Sequence, residues 1–247
     1  MLRPEISHRE GLLVIDKHPG PTSFDVVREV KRLAGGEKVG HTGSLDPFAS
    51  GVLVLLLGKA TRLSQTLIDA DKVYRAKLQL GLATATMDCT GEVSERKGVP
   101  EIAEDQVRAV LKGFEGIWEQ VPPAYSAKKV NGVRLYELAR QDIHVKLSPI
   151  PVKLFRVDLI SFESPSIEFE VHCSKGTYVR SLAHEIGQRL GTVAHLTELR
   201  RLMCGNFSID QSVTLDGFSE QVSDHLRKGY TNYVKYLRYC SDRYCDA

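Results

Sequence analysis

A run of six consecutive aliphatic residues, 52–57, directly follows a glycine-rich loop formed by residues 40–51. This run is far too short to cross a bilayer, which takes roughly 20 apolar residues. A short continuous aliphatic run is instead typical of a strand that is buried on both faces. We therefore expect a core strand here, with the glycine-rich loop before it allowing the backbone to approach a ligand closely.

Strand and helix patterns alternate along the chain. Strands are predicted at residues 12–15, 73–82, 152–162 and 167–173, and helices at 61–70, 104–114, 179–190 and from an N-cap at Ser23 to a stop at Gly35-Gly36. The turn Ser164-Pro165-Ser166 joins two of the strands in the manner of a hairpin. These patterns predict a mixed α/β (α+β) fold with an at least partly antiparallel sheet flanked by helices and loops.

The sequence has no internal repeat and no Ser/Gly linker, which predicts one dominant domain within residues 1–210. Residues 211–247 are expected to complete that domain and to end in a short basic tail rich in tyrosine. Five of the nine tyrosines lie in the last eighteen residues, and four of these are spaced three apart. Such a stripe can stack on nucleic-acid bases, but packing against the parent domain is the more frequent outcome.

The net charge of +2 is too small to indicate a polyanionic partner by itself. Basic residues nevertheless cluster in two segments, 125–146 and 172–205, each with five basic and two acidic residues. The two segments could contact one phosphate backbone, although two solvated faces are the simpler interpretation. The five cysteines are scattered without a C-x-x-C pair, so we expect reduced thiols. The N-terminal residues lack the pattern of a secretory signal, and we expect a cytoplasmic protein without a membrane segment.

The loop 40–51 does not match the known nucleotide-binding loops. A P-loop is excluded because Gly51 lies seven residues before Gly58, and Ala60 occupies the Ser/Thr position. No G-x-G-x-x-G follows a strand, and His41 has no companion at metal-ligand spacing. We therefore expect neither a nucleotide cofactor nor a metal. Taken alone, Asp46 before Pro47 is most simply a turn residue.

Five sequence blocks resemble, in this order, the signature blocks of the TruB family of tRNA pseudouridine synthases. The similarity runs over about four-fifths of the chain. Departures are small: Ser44, Phe48 and Glu185 stand where the family often has alanine, leucine and aspartate. The blocks are GHTGSLDPFASG (40–51), KVYRA (72–76) running to LGLATATMD (80–88), QVPPAYSAKK (120–129), GTYVRSLA (176–183) and LRR (199–201).

The resemblance implies a pseudouridine synthase fold with a largely antiparallel mixed sheet, and an enzyme that isomerises a uridine in RNA. In that reaction the bond from ribose C1′ to base N1 breaks, the base rotates, and C1′ is rejoined to C5. Asp46 would be the catalytic carboxylate, which attacks the sugar or the base or abstracts a ribose proton; the sequence does not choose among these routes. Arg180 would pair with Asp46 and favour its ionised form.

The same resemblance implies residues that bind the substrate. Tyr74 would stack on the target base, Leu199 would line the pocket, and Tyr178 would bind the substrate beside them. His41 would fill the space left by the flipped base. The family substrate is the T-loop uridine of tRNA, position 55, and the basic segment 125–146 resembles the family's clasp over the RNA.

Bacterial members of the family usually continue into a small RNA-binding domain of the PUA type. Only about forty residues follow Phe207, so we expect that domain to be absent or vestigial, and we expect a monomer with no protein partner. The competing hypothesis is an RNA-binding protein or tRNA-folding chaperone built on a synthase fold. The intact set of Asp46, Tyr74 and Arg180 favours the enzyme.

Overall fold

The computed structural model of the protein describes residues 10–130, 132–141, 143 and 145–244, with residues 238–244 described by their backbone alone. The strands in this part of the chain are β1 (Gly11–Lys17), β2 (Val39–His41), β3 (Ser50–Leu57), β4 (Lys72–Leu80), β5 (Leu82–Thr84), β6 (Val93–Arg96), β7 (Gly116–Gln120), β8 (Lys129–Val130), β9 (Val133–Arg134), β10 (Ile150–Glu163), β11 (Ser166–Cys173), β12 (Ala194–Cys204), β13 (Phe207–Ser208) and β14 (Val213–Thr214). The α-helices are α1 (Ser23–Leu33), α2 (Ser64–Ile68), α3 (Glu104–Lys112), α4 (Leu135–Ala139), α5 (Val179–Arg189), α6 (Leu215–Glu220) and α7 (Val222–Tyr244). Short 3-10 helices occupy Gly58–Leu63 and Ile209–Gln211.

The chain divides into two compact units. The first consists of the residues up to Ala70 together with those from Arg200 onward, and the second is Asp71–Leu199. The second unit is thus inserted into the first, and the chain returns to the first unit within strand β12.

The sheet of the first unit is organised around β3. This strand pairs antiparallel with β1 over seven positions, from Gly51 opposite Lys17 to Leu57 opposite Gly11. It also pairs antiparallel with β2 and parallel with the end of β12. All five residues from Val52 to Leu56 have no exposed surface, which confirms the predicted core strand.

The N-cap of helix α1 lies one residue earlier than the sequence predicts. Thr22, not Ser23, is the N-cap: its hydroxyl accepts from the backbone N–H of Asp25, and the Asp25 carboxylate accepts from the N–H of Thr22. This reciprocal arrangement satisfies two of the helix's unpaired donors. Ser23 is left to bind elsewhere, as described below. The helix ends before Gly35 and Gly36, both with positive φ, as predicted.

Two of the three tyrosines of α7 that have described side chains pack on the core of the first unit. Tyr233 and Tyr236 pack against the cluster around Leu12, Val54 and Phe207, and the Tyr236 ring lies 6.0 Å from the Phe207 ring. This supports the packing interpretation of the stripe for these two residues. The side chains of Tyr239 and Tyr244 lie outside the described residues.

The second unit contains four antiparallel strands in the order β4, β11, β10, β7. Strands β10 and β11 form the predicted hairpin, with Phe162 opposite Ile167. The same unit also contains two small antiparallel hairpins, β5–β6 and β8–β9. Most pairs in both units are antiparallel, while β1–β14 and β3–β12 are parallel, so the predicted mixed, largely antiparallel sheet is confirmed.

The basic segment 172–205 does not form the phosphate-binding face that its composition allows. Arg180 and Arg201 are buried and donate to backbone carbonyls. Arg200 pairs with Asp16, and Arg189 lies over the ring of Phe114. In the other segment Lys129, Arg134, Arg140 and Lys146 are exposed, whereas Asp142 lies outside the described residues. Lys175 and Arg189 of the segment 172–205 are exposed as well, so exposed positive charge is more frequent on the segment 125–146 than on 172–205 but is not confined to it.

Two smaller sequence predictions concern cysteines and membrane segments. Among the cysteines with described side chains, Cys89, Cys173 and Cys204 form no disulfide, while Cys245 and the side chain of Cys240 lie outside the described residues. No helix in the described ranges combines the length and the apolar character that a membrane span requires.

Candidate active site

The loop that carries Asp46 spans residues 42–49, between β2 and β3. Its entry is fixed by the N–H of Thr42, which donates to the carbonyl of Val54 at 3.1 Å. The buried side chain of Leu45 anchors its middle, and both backbone groups of Leu45 bond to the hydroxyl of Ser23, at 2.8 and 3.2 Å. The start of α1 therefore holds the residue next to Asp46.

Lys17 holds the other end of this loop. It is the last residue of β1, and only 1% of it is exposed. Its ammonium donates to the carbonyls of Pro47, Pro21 and His18 at 3.2, 2.9 and 3.0 Å. All three N–H donors of the side chain are thus used on backbone oxygens, which is how a protein tolerates a buried cation.

Arg201 is the second buried cation of the first unit, also 1% exposed. Its guanidinium donates to the carbonyls of Val52 at 2.6 Å, Gly43 at 3.1 Å and Ser44 at 3.4 Å. One side chain therefore ties the front half of the Asp46 loop to the start of the core strand. Its backbone lies opposite Gly51, where a Cβ would overlap the carbonyl oxygen of Arg201.

Asp46 is half-buried, and its carbonyl accepts from the N–H of Ala49 to close a tight turn. The negative charge of Asp46 interacts with the ammonium of Lys17. Burial lowers the pKa of Lys17 to about 8, the negative charge of Asp46 raises that pKa, and the positive charge of Arg201 lowers it. The carboxylate of Asp46 therefore lies close enough to Lys17 for their opposite charges to interact.

His41 ends strand β2, opposite Leu55 of the core strand. Its Nδ1 accepts from the backbone N–H of Gly43 at 3.2 Å, so a neutral imidazole carries its proton on Nε2. Burial lowers the pKa of His41, and the charge of Arg201 lowers it further. The ring is therefore neutral near pH 7 and presents a flat surface with one N–H donor.

In the second unit, Arg180 lies in the first turn of α5 and is 4% exposed. It donates to the carbonyls of Thr86 and Tyr125, each at 2.9 Å, and its guanidinium lies 3.6 Å from the carboxylate of Asp88. These contacts connect the helix to two loops of the unit. The predicted pairing of Arg180 with Asp46 stays a prediction.

Asp88 is the buried acid of this network. Its Oδ1 accepts from the hydroxyl of Thr86, and from both the N–H and the hydroxyl of Thr90, at 2.6 to 3.0 Å. Its backbone also bridges to Leu196 of β12. A carboxylate with three donors and a nearby guanidinium is well compensated for its burial.

The remaining predicted site residues also belong to the second unit. Tyr74 lies on β4 opposite Val171 and is 9% exposed, and Leu199 on β12 is 7% exposed. Tyr178 immediately precedes α5 and is half-buried. Two of the six predicted residues, His41 and Asp46, thus lie in the first unit, and the other four lie in the second.

Sequence reasoning missed four buried polar residues that hold these groups in place: Lys17, Asp88, Gln120 and Arg201. Asp88, Gln120 and Arg201 stand inside the blocks that resemble the TruB family, but a block does not say which of its side chains are buried. A lysine at the end of a strand gives no local sign that it is buried.

The family-model matches cover most of the chain. The model described as TruB family pseudouridylate synthase, N-terminal domain, matches residues 31–179. The model described as tRNA pseudouridylate synthase B C-terminal domain matches residues 180–239. The chain belongs to the TruB family of pseudouridylate synthases. The join between the two models falls inside the first turn of α5, next to Arg180.

Curated members of the TruB family are close in sequence. A protein named tRNA pseudouridine synthase B from Chlamydia muridarum (strain MoPn / Nigg) is 50% identical over 225 residues, which cover 88% of this chain and 91% of that protein. One of the same name from Syntrophotalea carbinolica is 48% identical over 206 residues, covering 83% of this chain and 67% of that protein.

Solved structures agree with the TruB assignment at the level of the fold. A chain in a Cbf5-Nop10-Gar1 complex is 33% identical and superposes with a TM-score of 0.72. A chain in an H/ACA RNP bound to a substrate RNA containing 2′-deoxyuridine is 32% identical, with a TM-score of 0.68. Both comparisons cover 92% of this chain, which spans 61% of those longer chains.

Proposed function

We propose that this chain is a tRNA pseudouridine synthase that isomerises the T-loop uridine, position 55, to pseudouridine. The observation that carries the proposal is the Asp46 loop: a half-buried carboxylate on a backbone anchored by the buried cations Lys17 and Arg201. Membership of the TruB family and relatives named tRNA pseudouridine synthase B support this substrate.

The proposed reaction needs an anionic group and a site from which water is excluded. The bond between C1′ and N1 breaks, the base turns, a bond forms between C1′ and C5, and the C5 proton leaves to solvent while N1 gains a proton. Asp46 supplies the anion, by attack on the sugar or base or by removal of a ribose proton. The positive charge of Lys17, which interacts with that of Asp46, favours the ionised carboxylate. Neither an ammonium nor a guanidinium competes with Asp46 as a nucleophile, because neither has a free nitrogen lone pair.

Substrate binding requires that the uridine leaves its stack, at a cost of a few kcal/mol. We assign the vacated space to His41, since a neutral imidazole can stack on bases and can donate one hydrogen bond. Tyr74 stacks on the flipped base and Leu199 lines its pocket. Tyr178 and Arg180 bind beside them, with Arg180 as partner of Asp46.

The RNA partner in this proposal is the T-stem-loop of tRNA. The exposed cations of the segment 125–146 are suited to its phosphates, because charge neutralisation dominates affinity for nucleic acid. Residues 1–210 act as the catalytic domain, completed by 211–247. Because tRNA is a cytoplasmic substrate, we propose a cytoplasmic protein, and we propose that it acts as a monomer.

The proposal is tested with unmodified tRNA carrying tritium at uridine C5. Purified protein should release to water the tritium of one uridine C5 position per tRNA molecule. A matched transcript with cytidine in place of the T-loop uridine should release none above background. Tight binding of tRNA without tritium release would favour the RNA-binding or chaperone hypothesis instead, and equal release from both transcripts would reject the assigned position.

A further inference from the structure

Gln120 has a buried side-chain amide to which the proposed mechanism gives no role. It is the last residue of β7, opposite Ile150 of β10, and it has no exposed surface. Its Nε2 donates to the carbonyl of Gly176 at 2.6 Å, and its Oε1 accepts from the N–H of Tyr178 at 2.9 Å. One amide group thus bonds to both sides of a three-residue turn.

That turn leads directly into helix α5. The first N–H groups of a helix have no partner within the helix, and the side chain of Tyr178 does not cap it. Gln120 supplies an acceptor from another part of the chain. Gly176 adopts φ of +79°, a conformation that L side chains rarely adopt, and Thr177 donates to Ser174 to close the loop. The amide of Gln120 therefore holds this turn against the end of strand β7.

The same two segments remain in contact beyond this turn. The hydroxyl of Ser181 donates to the carbonyl of Val121 at 2.7 Å, and Arg180 donates to that of Tyr125 at 2.9 Å. Residues 120–125 thus run alongside residues 176–181. Gln120 stands at one end of this contact, and Arg180 stands at the other.

We propose that Gln120 is a positioning residue for the uridine isomerisation: its amide fixes the turn 176–178 and thereby sets the placement of Tyr178 and Arg180. This inference rests on the proposed function. A small displacement of an active-site group, about 1 Å, can reduce a rate about 100-fold even when the substituted residue does not touch the substrate. Loss of either hydrogen bond also removes one of the two contacts by which Gln120 holds the turn, so the turn can move relative to the end of β7.

The most discriminating variant is Gln120→Glu, because its protonated form can mimic the amide. A neutral carboxyl donates through its O–H and accepts through its C=O, as glutamine does, whereas the ionised form only accepts and faces the carbonyl of Gly176. Burial raises the pKa of the introduced carboxyl above its usual value of about 4.3. The single-turnover rate, divided by that of the unsubstituted protein, should stay within about threefold of unity at pH 5.5 and fall at least tenfold by pH 8.5.

Two further variants separate positioning from general stability. Gln120→Met keeps the length but loses both hydrogen bonds, so its relative rate should be low at every pH. Thr192→Val is the matched control: Thr192 is 2% exposed and donates to the carbonyls of Gly98 and Lys97 in the same unit, away from the turn. It should lower Tm while leaving the rate within about threefold, at a temperature where all variants are folded.

A measurement that does not use activity tests separately whether Gln120 fixes the turn. Amide hydrogen exchange of residues 174–181 should lose protection in Gln120→Met and keep it in Thr192→Val. Trp118, the single tryptophan, lies two residues before Gln120, and its unchanged emission would show that β7 is intact. Unchanged protection of 174–181 in Gln120→Met would overturn the inference, as would a pH-independent relative rate for Gln120→Glu. Absence of tritium release from the unsubstituted protein would reject the proposed function and, with it, the catalytic purpose of the turn.

Discussion

At the scale of single residues, the site of the first unit depends on two buried cations that bind backbone oxygens. A hydrogen bond from a charged donor contributes about 1.5–3 kcal/mol, so three such bonds from Lys17 fix the 18–21 turn and the Asp46 loop together. Arg201 does the same for Gly43 and Val52. The rigidity of the loop thus comes from side chains that do not themselves need to meet the substrate.

Lys17 gives a stability prediction with a definite sign. Its pKa is about 8 in the folded protein and about 10.4 in an unfolded chain. Between these values the unfolded chain binds more protons, so the contribution of Lys17 to stability rises with pH, by at most about 1.4 kcal/mol per pH unit. We expect the free energy of unfolding of the parent minus that of Lys17→Met to increase from pH 7.5 to pH 10. Urea denaturation at each pH measures it, and a constant or falling difference would contradict the burial of the cation.

His41 gives a prediction about tautomer and charge. Because Nδ1 accepts from Gly43 and burial lowers the pKa, nitrogen NMR should show a neutral ring protonated on Nε2 at pH 7. Protonation opposes folding, so the stability that His41 provides is complete above pH 6.5 and is lost as pH falls through its folded pKa. The His41 resonance is assigned as the one that is missing from the spectrum of His41→Gln. A ring that titrates above the ordinary histidine value, or that carries its proton on Nδ1, would refute this description.

At the scale of elements, the site depends on how closely β3 and β12 approach. Gly51 has φ of +103°, and its Cα faces the backbone of Arg201 with no room for a side chain. The parallel pairing at this point carries Arg201 to the loop. Because Gly51 has no side chain, β3 and β12 can pair closely enough to place Arg201 beside the Asp46 loop.

Gly51→Ala should be much more damaging than an alanine at another glycine of similar φ. Gly20 has φ of +114° with open space around its Cα, so Gly20→Ala measures the backbone strain alone, about 1–3 kcal/mol. Gly51→Ala adds the overlap with Arg201, and we expect the total loss to exceed about 3 kcal/mol. Equal losses in free energy of unfolding for the two variants would show that β3 and β12 are not in close contact at this point.

Secondary-structure elements are the features that the sequence predicts best. The aliphatic run predicted β3, and the turn Ser164-Pro165-Ser166 predicted the β10–β11 hairpin, because both signals are local. The cap of α1 was misplaced by one residue, since Thr22 and Ser23 are both good caps and only tertiary contact with Leu45 assigns Ser23 elsewhere. The pairing of β3 with β12 joins residues 150 positions apart and has no local signal.

At the scale of the whole molecule, each of the two units contributes residues of the predicted set, and all six assignments stay predictions that come from the TruB resemblance. The sequence could not show which charged residues are buried. Arg201 was counted as part of a basic surface, yet it has almost no exposed area and binds carbonyls. Gln120 and Asp88 likewise reveal their roles only through partners distant in sequence.

We predict that Asp46 performs the chemistry while other groups bind the RNA. Asp46→Asn keeps the shape of the side chain but removes the anion, so isomerisation should vanish while tRNA affinity stays within a few-fold. Asp16→Asn is the control, because Asp16 is a half-buried aspartate of the same unit that pairs with Arg200 at 2.7 Å. It should cost some stability and retain turnover.

The decisive measurement is tritium release and filter-binding affinity on the same Asp46→Asn preparation, with Tm compared to the parent and to Asp16→Asn. We predict a folded protein that binds tRNA and releases no tritium. Release near the parental rate would contradict it, and joint loss of folding, binding and release would return Asp46 to the role of a turn residue.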